Sequence, residues 1–240
     1  YWEGRFQAAR VDWTCSFGLF DEGELVAFII NGIDQRGSDK IAFNTGTGVV
    51  PKYRGQKVVD QLYEYAFPFF EQKKITHYAL EVVQENSRAI RVYERIGFSI
   101  TKEYYCFKGK LATSTYKTTL EPTSIEKIQH LKENLYAWDN STNAIKNSQE
   151  GMYSCYEVLN SEQDKIGFFV INPTSGYLPQ FEIYQTTKSE NWNLLFDGIA
   201  QINRAVKTNN VDGRRMDQRT ALINLGLENS INQYEMERSI

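Results

Sequence analysis

Apolar positions in the first half of the chain change period several times. Residues 24–34 and 40–50 are apolar runs around a polar turn of Asp34, Gly37, Ser38 and Asp39, which predicts a hairpin. After Pro51 the spacing becomes helical over 56–73, with Val58, Leu62, Tyr65, Ala66 and Phe69 on one side. A buried strand is predicted at 77–83. A short helix at 87–96 then gathers Ala89, Val92, Tyr93 and Ile96 before a glycine stop at Gly97. A strand at 15–20 and strands within 98–109 complete this half.

The second half repeats the plan faintly. Glu24 to Asn31 has an echo in Lys165 to Asn172 about 140 positions on, and Ile96-Gly97-Phe98 one in Leu225-Gly226-Leu227 about 129 on. The shrinking offset predicts a second copy shortened near its central helix. Its expected elements are strand 114–120, helices 124–135 and 140–147, and strands 152–159, 165–172 and 177–184. Helix 190–203, strand 205–211, helix 216–225 and a last strand near 229–237 follow. Two domains, 1–111 and 112–240, are expected, as a length of 240 residues also suggests. Copy two opens with a strand and a helix that have no counterpart in copy one, whose first strand and helix therefore read as missing.

Bulk properties narrow the function classes. Hydrophobic residues at 41% and aromatics at 14% suffice for packed cores. A net charge of −3 without basic clusters argues against a nucleic-acid partner. No apolar run approaches the roughly 20 residues of a membrane span. Cys15, Cys106 and Cys155 are scattered and lack His at ligand spacing, so a cytoplasmic, reducing setting with no metal is expected. The chain starts at Tyr1 rather than Met, which leaves room for a targeting segment before it. Trp2, Trp13, Tyr104, Tyr105, Trp138 and Trp192 read as core or inter-domain packing, and His77 and His130 as surface or helix positions.

The candidate chemistry lies in residues 47–59, Thr-Gly-Val-Val-Pro-Lys-Tyr-Arg-Gly-Gln-Lys-Val-Val. A strand that turns through Arg54-Gly55 into a helix aims backbone N–H groups at one point, and the helix dipole adds to their pull on an anion. About 30 residues on, the strand Ala79 to Val83 enters Asn86-Ser87-Arg88-Ala89 and a helix through Tyr93 to Gly97-Phe98. With both segments in this order, the chain resembles the GNAT-type N-acyltransferases, which bind acetyl-CoA. The first looks like that family's V-x-P-x-x-R-G-x-G loop, the second like its L-x-V-x-x-x-N-x-x-A-x-x-x-Y-x-x-x-G-F segment. The likeness spans roughly residues 15 to 109. It implies an α/β (α+β) fold of two tandem GNAT-like units, each a mixed, mostly antiparallel twisted sheet flanked by helices, the second degenerate.

The resemblance also implies roles. The amides of Arg54, Gly55, Gln56, Lys57, Val58 and Val59 would hold the diphosphate of acetyl-CoA, and Val49 or Val50 would offer an N–H to the thioester carbonyl. Lys57 and Val59 stand where the family usually has small residues. Asn86 and Ala89 would line the coenzyme's arm, with Asn86 also a candidate helix cap. Tyr93 would be the general acid, since a phenol and a thiol have pKa values near 10 and 8.5, or else a core tyrosine. Glu81, an ionisable group inside an apolar run, is the candidate base or a paired structural carboxylate. Asn44, Thr45 and Thr47 would line the acceptor site or satisfy a bulge favoured by Gly46 and Gly48.

Copy two has Thr187-Lys188-Ser189-Glu190-Asn191-Trp192 in place of the loop, with no glycine, and is expected not to bind CoA. The function implied is acetyl transfer to an amine of a small molecule or peptide. A non-catalytic binder of the same fold and transfer of a longer acyl or aminoacyl group are the alternatives. Oligomeric state is not legible in the sequence.

Overall fold

The computed structural model describes residues 2–112, 118–128, 133–185, 188 and 190–240. Two compact units form, Tyr1–Glu103 with Gln233–Ile240, and Tyr104–Asn232. The first contains helix α1 (Trp2–Ala8), strands β1 (Phe17–Asp21), β2 (Glu24–Arg36) and β3 (Asp39–Val49), helix α2 (Val58–Gln72), strand β4 (His77–Val83), helix α3 (Ser87–Ile96) and the start of strand β5 (Ser99–Lys110). The second contains β6 (Thr119–Thr123), α4 (Thr142–Lys146), β7 (Ser154–Leu159), β8 (Lys165–Asn172), β9 (Tyr177–Ile183), α5 (Asn191–Ile202), β10 (Ala205–Asp212), α6 (Met216–Asn224) and the start of β11 (Glu228–Ser239). The end of β5 belongs to the second unit, where it pairs with β10. The end of β11 belongs to the first, where it pairs with β4 from Gln233↔Val83 to Ser239↔His77.

The sheets are mixed and mostly antiparallel, as expected; β3 with β4 and β9 with β10 are the parallel pairs among the described residues. Both helical stops echo each other in detail. Gly97 (φ 100) ends α3 while Phe98 N–H bonds the Tyr93 carbonyl at 3.0 Å. Gly226 (φ 83) follows α6 while Leu227 N–H bonds the Leu222 carbonyl, also at 3.0 Å. Both are left-handed caps that glycine makes without a Cβ clash. The central helix is shorter in the second copy, 15 residues in α2 against 12 in α5, which accounts for part of the shrinking offset.

Several expectations need correction. The chain has a helix before residue 15, because Trp2–Ala8 forms α1, ended by Arg10 at φ 56. Among the described residues of 124–135 no α-helix forms: Ser124 to Ile128 is a turn and Glu133–Leu135 a short 3-10 helix, while His130 lies outside the described residues. Most of the strand expected at 114–120 is likewise outside them, its described part being β6. The buried stripe of α2 is Val58, Leu62, Tyr63, Ala66 and Phe70. Tyr65 is exposed and rests edge-on against Phe17 at 5.2 Å. Trp138, Trp192 and Tyr104 are core residues, but Trp2 and Trp13 are exposed. No described helix is long and apolar enough to cross a membrane.

Candidate active site

The junction between β3 and α2 is built as an open cradle. Pro51–Tyr53 makes a short 3-10 turn, Gly55 is left-handed at φ 79, and Lys57 is left-handed at φ 58 as the N-cap of α2. A lysine in that conformation costs about 1 kcal/mol relative to glycine. Lys57 gives no side-chain cap bond, so the first-turn amides of α2 have no side-chain acceptor from it. A Cβ at Gly55 would meet nothing closer than Arg88 Nη2 at 3.9 Å, so the loop is not packed shut. Beside it lies a groove of about 340 Å³.

Apolar contacts in the groove come from Val49, Val58, Val59 and Val92, and its charge from Arg54, Lys57, Arg88, Arg91 and Arg95. Its one carboxylate, Asp60, accepts two bonds from Arg95 at 2.7 and 2.8 Å, which hold its carboxyl below the usual range. Of the expected cradle residues, Arg54 has its backbone N–H bonded to Pro51 O at 3.2 Å, and the side chain of Gln56 turns back on the loop, its Nε2 donating to Lys52 O at 2.8 Å. Asn86 caps α3 by accepting from Ala89 N–H at 3.1 Å, so the capping role is observed and Ala89's amide is engaged by it. Arg88 and Arg91 were not singled out by sequence reasoning. Their spacing with Arg95, at i, i+3 and i+7, is the signal that marks one basic stripe.

From the cradle, β3 and β4 lead to a split in the sheet. Their parallel pairing runs from Ile41↔His77 to Asn44↔Leu80 and stops there. A bulge against β2 falls at the same place, between Ile30 and Asn31, with Thr45 as the extra residue. Gly48 is required there, because a Cβ would lie 2.3 Å from the Phe28 ring. Val50 N–H is committed to Val26 O at 2.9 Å. In an antiparallel ladder the neighbouring residue then turns its polar groups the other way, so Val49 N–H faces the split. Val49 O faces it too and accepts Arg54 Nε at 3.2 Å.

Glu81 is the first β4 residue beyond the last β3 pair, half-buried and opposite Glu235 of β11. Strand alternation places it on the face away from Tyr78, Leu80 and Val82. Tyr93 is on the other face, its ring 6.2 Å from Tyr63, which in turn lies 5.3 Å from Tyr78. The two expected catalytic residues therefore lie on opposite faces of the sheet. Thr47 donates to Asn44 Oδ1 at 3.1 Å and Thr45 to Ile30 O at 3.3 Å, so both hydroxyls serve the bulge. His77 sits at the closed end of the pairing.

Burial pushes the phenols of Tyr63, Tyr78 and Tyr93 above their ordinary value of 10.0. At Tyr93 the Thr47 hydroxyl partly counters the shift. Tyr63 is the most exposed to this effect, since its buried hydroxyl meets no partner at hydrogen-bonding geometry. An unfolded chain releases these protons first, so stability is fully present below pH 10 and declines as pH rises above it. Urea midpoints are expected to fall between pH 9 and pH 11, and a Tyr63→Phe variant to lose less over that range; an equal slope in the variant would exclude Tyr63 as a contributor.

Residues 1–98 match the family described as the Acetyltransferase (GNAT) family. The first unit belongs to the GNAT family. The chain's fold is similar to that of a Pyrococcus horikoshii protein assigned to the acetyltransferases, at TM-score 0.70 and 10% identity, covering 99% of this chain and 78% of that one. It is also similar to a tandem GNAT protein from the clavulanic acid biosynthesis pathway, at TM-score 0.60 and 12% identity, covering 98% and 87%. A GCN5-related N-acetyltransferase from Sphaerobacter thermophilus follows at TM-score 0.60 and 10% identity, covering 91% and 78%. At such identities the likeness concerns the fold alone. No curated protein matches the chain.

The second GNAT-like unit has the same split, but its own chain fills it. Among the described residues, strands β9 and β10 pair only at Tyr177↔Lys207, and Tyr136 then bridges to Val211 of β10. Asn140 ties the strands together, donating to Asn209 O at 2.7 Å and accepting from Tyr177 OH at 2.6 Å and, at its carbonyl, from Gln180 Nε2 at 2.8 Å. Tyr136 OH donates to Glu182 at 2.6 Å, and Glu182 pairs with Arg215. In the first turn of α5, Trp192 is buried against Phe181 at 6.2 Å, and Thr187 and Ser189 before it lie outside the described residues.

Proposed function

We propose that the chain is an acetyl-CoA-dependent N-acetyltransferase whose first unit carries the chemistry. The observation that supports this most is the continuity of three features: the cationic groove at α2, the split beyond Asn44↔Leu80, and Val49 N–H turned into that split. The residues fit the coenzyme, because a diphosphate meets the first-turn amides of α2, which Lys57 does not cap, and arginines rather than a packed loop. Bound acetyl-CoA would supply the activated acyl group. Val49 N–H would donate to the carbonyl oxygen as charge develops on it, an interaction worth several kcal/mol where it is formed only in the transition state. Glu81, on the far face of the sheet, would take the proton of the incoming ammonium. Tyr93, kept protonated by its burial, would give its phenolic proton to the departing thiolate.

The acceptor is an amine of a small molecule or a peptide. The second unit, with its split filled by residues 136–140, would play no part in binding the coenzyme. Three free cysteines, two of them buried, support a reducing, cytoplasmic setting.

Titration calorimetry with acetyl-CoA tests the reading, followed by thiol release in the presence of an amine panel. Saturable heat and amine-dependent thiol are expected; no heat and no thermal shift at millimolar ligand would leave only a shared fold. Lys57→Gly separates obstruction from attraction. Stability should change little, because relief of the left-handed lysine offsets the added chain entropy. The Kd for acetyl-CoA should rise about three- to tenfold, most at low salt. A tighter complex would mean that Lys57 narrows the cradle instead of serving it.

A further inference from the structure

The candidate base has a neighbour from the far end of the sequence. The last strand, β11, sets Glu235 directly opposite Glu81, so the two carboxylates share one face with Cβ atoms roughly 5 Å apart. Like charges in that position work against strand pairing. Glu235 is nevertheless held there with no side-chain exposure, by two cations of the first unit. Lys102 of β5 reaches its Oε1 at 2.5 Å, and Arg36 of β2 reaches the same oxygen at 3.4 Å. Arg36 also pairs at 3.0 Å with Glu237, two positions on and on the same face. On its other side Glu81 has β3, whose nearest residues, Asn44 and Thr45, carry no charge.

Stability does not call for this cluster, because apolar residues of similar volume generally serve a fold as well as a buried ion pair. Its effect is to fix a charge. Burial opposes the ionisation of Glu235, but Arg36 and Lys102 outweigh it and hold its carboxyl below the usual carboxylate range. Glu237 goes the other way, raised by burial and by the charge of Glu235. Glu81 therefore stands beside a carboxylate that stays ionised while Glu81 itself takes up a proton. We propose that Glu235 is a positioning residue for acyl transfer, whose clamped charge makes Glu81 a stronger proton acceptor than it would otherwise be. In the step concerned, an ammonium N–H bond breaks and the proton passes to a Glu81 oxygen. The nitrogen keeps the electron pair that attacks the thioester carbon. This role rests on the reading of Glu81 as the base, and the chain's last strand supplies it.

NMR of the side-chain carboxyl carbons, titrated in the full chain, tests the coupling, with Glu81→Gln assigning the Glu81 signal. In Glu235→Gln, which keeps the shape and an acceptor for Lys102, the Glu81 midpoint is expected about one pH unit lower. Lys102→Met, which removes a cation from the cluster, should move it upward. General damage to the fold would not give opposite signs. The acid limb of kcat/KM for amine acetylation should follow both shifts, while the Kd for acetyl-CoA holds within about twofold. An unmoved midpoint in Glu235→Gln, or shifts of one sign in both variants, overturns the proposal. So does a limb that stays in place while the midpoints move. Midpoints that move as expected in a protein without amine-dependent thiol release would remove the transferase reading instead, and with it any part for Glu235 in the chemistry.

Discussion

Replacing Tyr93 by phenylalanine is expected to lower kcat about 10²- to 10³-fold, while the Kd for acetyl-CoA stays within about twofold. The ring is held by packing that the substitution preserves, since Tyr63 and Phe98 lie 6.2 and 6.1 Å from it. Only the hydroxyl is lost, and Tyr93 is not among the residues that line the cationic groove. Burial raises the phenol's pKa, so through the neutral range Tyr93 is protonated and able to donate. The profile of kcat against pH should therefore show no alkaline limb from this residue below pH 10. The outcome against the assignment is a variant with unchanged kcat, or one whose coenzyme affinity falls as much as its turnover; either would make Tyr93 a packing residue. Thermal denaturation of the same variant checks that the fold is intact.

The strands and helices of the first half were legible because each has its own period and its own punctuation. Hairpin β2–β3 turns at Gly37 (φ 64), and α3 is bounded by the Asn86 cap and Gly97. The repeat was legible in the same way, through an apolar strand and a glycine cap that recur in register. Three things were not. The pairing of Gln233–Ser239 with β4 is a long-range event that no local pattern encodes. Helix α1 buries no side chain, so it leaves no amphipathic signature. Residues 136–140 carry polar side chains that bond across the second split, and their sequence, Tyr-Ala-Trp-Asp-Asn, has no periodicity to announce it. At the candidate site the backbone features were readable from glycines and the Arg54 loop, but Arg88 and Arg91 were hidden inside a motif whose attention falls on Asn86, Ala89 and Tyr93.

The plug in the second unit leads to the largest stability effect. Glu182→Ala is expected to destabilise the protein by about 3–5 kcal/mol, because it strands the guanidinium of Arg215. Both side chains of this pair are 3% exposed. Burial alone would lower the pKa of Arg215, but Glu182 and Tyr136 outweigh it and hold the group charged. An arginine cannot shed its charge, so the cost falls on folding rather than on protonation. Arg215 Nε already lacks a partner, which leaves nothing in reserve to absorb the loss. Urea unfolding followed by the fluorescence of buried Trp138 and Trp192 reads this unit, and Glu182→Gln, which keeps an acceptor for Tyr136, should lose less. Replacing Glu182, Arg215 and Tyr136 together by apolar residues of similar size should recover most of the stability, as buried ion pairs generally allow. A loss below about 1 kcal/mol for Glu182→Ala would mean that water reaches the pair. The split would then be open rather than sealed, and the second unit would again be a candidate for a ligand of its own.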